Sequence, residues 1–117
     1  MHEHPIRMGI IGASPTLGWA RHSHVPALRA LREYELAAVC TARRASAEEA
    51  ARQFGAPQAY WDYRELVKDP AIDAVVVTVR APLHHEIVMA ALEGGKHVYC
   101  EWLLAINARL AQEMARL

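Results

Sequence analysis

Cysteine is scarce in this chain: its 117 residues hold two, Cys40 and Cys100. That is too few for a disulfide scaffold and fits a reducing, cytoplasmic setting. Net charge is absent as well. Thirteen basic side chains stand against 13 acidic ones, whereas a protein that holds nucleic acid mainly through phosphates carries a basic excess or a basic face, so no nucleic-acid partner is expected. Long apolar runs are missing too. The longest, Ala71 to Val79 and Tyr34 to Cys40, fall well short of the ~18 residues of a membrane span, and no membrane partner is expected. No secretory leader is visible, because Met1 to Pro5 is polar. Linkers, internal repeats and low-complexity tracts are not found. What is present is 53% hydrophobic residues, far above the level of a disordered tail. A chain of this length buries roughly two thirds of its unfolded surface, enough for one domain with its own core. Arg outnumbers Lys eleven to two, a compositional habit rather than chemistry.

Short, β-branched apolar runs alternate with amphipathic stretches, the pattern of a parallel sheet covered by helices. Strands are expected at Arg7–Ile11, Leu36–Cys40, Gln58–Tyr60, Ala74–Val79 and Val98–Cys100. Helices are expected at Ser23–Leu31, Ala47–Phe54, Tyr63–Val67, Leu83–Glu93 and Asn107–Arg116. Ser46 ahead of Glu48 and Glu49, Asp62 ahead of Glu65, and Asn107 read as N-caps, and Gly55, Gly94 and Gly95 as stops. Right-handed crossovers then favour a Rossmann-type, doubly wound α/β fold of about five parallel strands in order 3-2-1-4-5, one domain over residues 1–117. The ligand of such a sheet lies outside the carboxyl ends of the strands where the order reverses, which here is the segment after Ile11.

That segment runs from Gly9 to Trp19. A dinucleotide loop needs a glycine for the tight turn, a small residue facing the pyrophosphate and another where helix packs on strand. Gly12 and Ser14 fill the first two places. Leu17 stands where a small residue is usual and Gly18 follows, so a longer loop is expected, with Gly12, Ala13, Ser14, Leu17, Gly18 and Trp19 as cofactor-binding candidates. An ordinary β-to-α turn rich in small residues remains the alternative. At the end of the second strand, where an NAD binder places an acid against the ribose 2′-hydroxyl, the chain reads Thr41, Ala42, Arg43, Arg44. Thr41 leaves room for a phosphate and the two arginines can pair with it, which points to NADP, with NAD still possible; a solvated turn is the other reading.

The loop, Thr41, the helix start Asp62–Leu66, Ile72–Val77, His84–Ile87 and Gly94–Glu101 together make the chain resemble the Gfo/Idh/MocA oxidoreductases over about Ile6 to Leu117. The resemblance implies an N-terminal nucleotide-binding domain. In the family a larger α/β domain follows, supplies most substrate contacts and the oligomer interface, and sugars or polyols are oxidised or reduced with NAD or NADP. The family's sixth strand and second domain have no counterpart among these residues, so complete turnover by this polypeptide alone is not expected. A homo-oligomer, or cover from the last helix, is expected at the open edge of the fifth strand. The family's Glu-Lys-Pro is here Glu101, Trp102 and Leu103. Its lysine can pass the hydroxyl proton, whereas an indole cannot, and Trp102 is either a stacking surface by the nicotinamide or a packed aromatic. Gly18 with Trp19, His24 to Ala27, Thr41, His84 with Glu86, and Glu101 with Trp102 are similar to the branch of the yeast galactose-pathway repressor, an NADP-binding regulator, and its bacterial relatives.

His84 matches a family histidine at the ligand edge, where it is placed to touch the nicotinamide ribose, relay a proton, or meet solvent at a helix start. Val79, at the end of the fourth strand, joins the cofactor-binding candidates, and His84 and Glu101 are the catalytic ones. Arg80 replaces a usual proline. His24 and Pro26 read as structural. Metal binding is not expected, since His22 with His24 and His84 with His85 lack the i, i+4 spacing of a shared helix face. Cys40 and Cys100 lie on strands that are not neighbours and read as buried thiols.

Overall fold

The five apolar runs become five strands because Val, Ile and Ala pack well on a pleat covered from both sides. In a computed structural model, which describes residues 4–16 and 18–117, they are β1 (Ile6–Ile11), β2 (Tyr34–Cys40), β3 (Gln58–Tyr60), β4 (Ala74–Val77) and β5 (His97–Cys100). All neighbours are parallel, in the expected order β3-β2-β1-β4-β5. Side chains alternate between the faces. Met8, Ile10, Ala74 and Val76 meet Leu28 of α1 (Val25–Ala30) and Phe54 of α2 (Arg44–Phe54). Val75 and Val77 face the other way, toward Leu66 of α3 (Tyr63–Lys68), Ile87 and Val88 of α4 (His84–Glu93), and Met114 of α5 (Ala108–Arg116). Between β1 and β2 the register slips: Met8 faces Leu36 but Gly9 faces Ala38. The extra residue, Ala37, turns to the same face as Ala38, as a bulge allows.

Several element ends differ from expectation for local reasons. A π-type turn over Ala20–His24 runs straight into α1, whose first turn takes Pro26. Helix α2 starts at Arg44 with Arg43 as its cap residue, and Ser46 is not the N-cap. Ser46 lies inside the helix, where its hydroxyl donates to Arg43 O at 3.1 Å and meets Thr41 Oγ1 at 2.6 Å. Asp62 and Asn107 do cap, accepting from Arg64 N at 3.0 Å and Leu110 N at 2.9 Å. The fourth strand leaves the ladder at Thr78 rather than Val79. Thr78 Oγ1 there turns to Ile11 O and Gly12 O, both at 3.0 Å.

The last helix joins the face of the sheet: Met114 is buried in the α3–α4 cluster, and Glu113 meets His85 Nε2 at 2.8 Å. The outer edge of β5 has no strand partner among the described residues. Among them, too, no helix is long and apolar enough to cross a membrane.

The opposite, amino edge is tied by Arg7 and Asp73. Arg7 N donates to Asp73 Oδ2 at 2.8 Å, and its guanidinium reaches both carboxylate oxygens at 3.2 Å. The guanidinium holds the Asp73 carboxyl down at about 2. A carboxyl whose pKa falls on folding stabilises above its unfolded value and loses that contribution as pH drops through the folded one. Asp73→Asn is therefore expected to cost about 1 kcal/mol at pH 7, allowing for solvent screening. The gap from wild type should close in urea melts between about pH 4 and pH 2; a gap independent of pH would show that the ion pair contributes nothing.

Candidate functional site

Beyond the carboxyl ends of β1, β2 and β4 lies a cleft of about 590 Å³. Its floor is Ile11 and Gly12 after β1, and its sides are Cys40, Thr41 and Ala42 after β2 and Val79 and Leu83 after β4. Trp61 to Glu65, at the start of α3, and Glu86 and Ile87 in α4 close it.

Gly12 makes the close approach possible. Its φ is +93°, and a Cβ there would stand 2.9 Å from both Thr78 Oγ1 and Val79 Cγ1. The loop is pinned to the second strand, as Cys40 O accepts from Gly12 N at 2.9 Å and from Ala13 N at 3.1 Å. Ala13 is buried, and Ser14 follows with its amide donating to Gly12 O at 2.9 Å. Gly18 also takes a positive φ, +97°, with open space where a Cβ would go. Trp19 is exposed. Leu17 lies outside the described residues.

At the end of β2, Thr41 Oγ1 donates to Arg43 O at 2.9 Å, which organises the start of α2. The two arginines separate in role. Arg44 Nε donates to Glu48 at 2.7 Å and its guanidinium stacks 5.3 Å from the Trp61 ring, whereas the Arg43 guanidinium is exposed and without an ion-pair partner among the described residues. Cys40 lines the cleft with its thiol pushed up to about 12 by burial, so it is no nucleophile. Cys100 is half-buried rather than buried, and both thiols are free.

On the other side of the loop, His84 does not meet solvent. It is 1% exposed, its Nε2 faces Val79 O at 2.7 Å and its Nδ1 faces Leu103 O, so the ring staples the turn after β4 to the segment after β5. Glu101 bonds to His24 Nε2, and the His24 ring stands edge-on to Tyr99 at 5.3 Å. Trp102 projects outward, 87% exposed. Among the described residues no group of His, Cys, Asp or Glu is arranged to hold a metal ion.

The structure thus brings Gly12, Thr41 and Val79 into one cleft, and Arg43 follows the lining residues Thr41 and Ala42 in the chain. It leaves Glu101, Trp102 and His84 outside the residues lining it. Sequence reasoning missed the far wall: Trp61, Tyr63, Arg64 and Glu86. Tyr63 Oη donates to Glu86 Oε2 at 2.6 Å across the cleft, and the Tyr63 hydroxyl is pushed up to about 12 by burial and by this carboxylate. The carboxyl-end rule, applied to β3 as well as β1, points to Trp61 at once.

A Gly-cradled turn and a cleft at the carboxyl ends of the strands fit a dinucleotide, and known proteins agree with that fold. The oxidoreductase family with an NAD-binding Rossmann fold, Gfo/Idh/MocA, matches residues 6–117. The dehydrogenase aclE of Aspergillus oryzae is 38% identical over 117 residues, covering 95% of this chain and 32% of its own length. An inositol 2-dehydrogenase/D-chiro-inositol 3-dehydrogenase of Lactiplantibacillus plantarum is 34% identical over 113 residues, covering 95% of this chain and 31% of its own. Among solved structures, an NAD binding oxidoreductase from Klebsiella pneumoniae superposes with a TM-score of 0.87 at 39% identity, over 96% of this chain and 31% of that one. The 3-ketoreductase KijD10 of Actinomadura kijaniata, in complex with TDP-benzene and NADP, gives 0.88 at 32% identity, over 97% of this chain and 34% of that one. The chain spans about a third of the length of these relatives. It belongs to the Gfo/Idh/MocA oxidoreductase family and corresponds to that family's NAD-binding Rossmann domain.

Proposed function

We propose that residues 1–117 form the NADP(H)-binding domain of an oxidoreductase whose whole polypeptide acts on a sugar or polyol. The substrate class is supported by the inositol dehydrogenase among its relatives. The observation that carries the cofactor reading is the end of β2. Thr41 stands where an acid would repel a 2′-phosphate, and beside it the Arg43 guanidinium is unpaired among the described residues. Gly12, Ser14 and the loop through Gly18 then lie at the pyrophosphate, and Arg44 stays with Glu48 and Trp61. The bound dinucleotide supplies the hydride donor or acceptor; the chain binds and orients it. Calorimetric titration is expected to show NADPH binding at least about tenfold tighter than NADH, with Arg43→Ala erasing that preference. Tighter NADH binding would overturn the NADP assignment.

A second reading rests on Trp102. An exposed indole where the family's lysine is expected supports, as the alternative, a nucleotide-sensing regulatory module of the galactose-repressor kind, and absorbance at the reduced-cofactor band with sugars added to the whole protein separates the two. In either case the outer edge of β5, with exposed Tyr99, Trp102 and Ile106, is assigned to a second domain or a second copy.

A further inference from the structure

We infer that Glu86 reads the base of the nucleotide, its carboxylate accepting the 6-amino N–H of adenine and selecting that base over a 6-oxo purine. The inference rests on the dinucleotide reading: with pyrophosphate at Gly12 and ribose at Thr41, the base enters the cleft between Ala42 and Leu83. There Trp61, Val79, Leu83 and Ile87 offer apolar surface for the ring faces, while Glu86 and Tyr63 stand at its polar edge. Tyr63 Oη reaches from α3 to Glu86 Oε2 on α4, which fixes the carboxylate and leaves Oε1 without a partner among the described residues. Glu86 lies in the first turn of α4.

Arg64 and Arg44, which lie over the Tyr63 and Trp61 rings, each already have a carboxylate partner. The Arg64 Nε is taken by Asp62 at 3.0 Å, and Arg44 at the rim by Glu48. A carboxylate accepts and cannot donate, so it pairs with an exocyclic amine and repels an exocyclic carbonyl. A site built to accept the 6-amino N–H disfavours the analogue that presents a carbonyl there and carries its nearest N–H one ring position away, at N1.

The test compares NADPH and NADH with their hypoxanthine counterparts, in which the 6-amino group is replaced by oxygen, by calorimetry on wild type and Glu86→Gln. The wild type is expected to bind the amino forms about tenfold tighter or more. Glutamine can still accept from Tyr63 and offers the base both an acceptor and a donor, so the variant should hold the two bases within about threefold of each other. Unchanged thermal unfolding of the variant shows that the fold is intact. Equal binding of both bases by the wild type overturns the base readout alone, as does discrimination that survives in Glu86→Gln. A wild type that binds neither NADPH nor NADH overturns the dinucleotide reading and the base readout with it.

Discussion

Gly12→Val is expected to abolish measurable dinucleotide binding and to lower stability by about 2–4 kcal/mol, a fall in the thermal midpoint of roughly 10 °C. Two effects add. The backbone at position 12 has φ +93°, which a β-branched residue adopts only under strain. The new Cβ would also meet Thr78 Oγ1 and Val79 Cγ1 at 2.9 Å and the Thr78 carbonyl carbon at 3.0 Å. These neighbours cannot step aside cheaply, because Thr78 Oγ1 is itself bonded to Ile11 O and Gly12 O. Gly18→Ala is the informative contrast. Its φ of +97° is just as unfavourable for a side chain, yet a Cβ there has nothing within 4 Å. Only the conformational term remains, about 1–2 kcal/mol. Calorimetric unfolding and NADPH titration of both variants check the difference. A Gly12→Val protein that melts and binds like Gly18→Ala would show that the turn relaxes freely.

The sheet is legible in the chain because its strands are short, apolar and buried on both faces, and because handed crossovers leave few orders for five of them. Element ends are less so. Ser46 with Glu49 three residues on carries a capping-box pattern, but Thr41 draws the Ser46 hydroxyl toward the β2 end, and the helix starts two residues earlier at Arg44. The site is legible where it follows the chain, at Gly12 and Thr41, since a turn and the residues after a strand are local features. Trp61 and Glu86 are brought together only by the packing of α3 and α4 against the sheet, and nothing in the spacing of positions 61, 63 and 86 announces it. Arg43 and Arg44 look equivalent in sequence. A glutamate one turn along and an aromatic on another strand's end give them different tasks. The same holds for His84, whose second carbonyl partner lies 19 residues away.

That contact makes His84→Phe the other large effect. The ring is buried, and both nitrogens face backbone carbonyls, Val79 O and Leu103 O. Phenylalanine fills the volume but donates to neither carbonyl, and a buried acceptor left without its donor costs about 1–3 kcal/mol. The loss should be a shift of the urea midpoint with an unchanged slope, since the surface exposed on unfolding stays the same. It should also be local. The stretch from Glu101 to Ile106, which carries exposed Trp102, Leu103 and Leu104, is expected to become the first site of cleavage by chymotrypsin. Two near-isosteric variants divide the staple. Asparagine places an amide nitrogen where Nδ1 stands and can donate to Leu103 O, whereas glutamine places one near Nε2 and can donate to Val79 O. Both should recover part of the stability, but only asparagine should restore resistance to cleavage after β5. If glutamine protected that stretch as well as asparagine does, or if the phenylalanine variant were as resistant as wild type, the segment would be held by packing, and His84 would be a core residue without a positioning role.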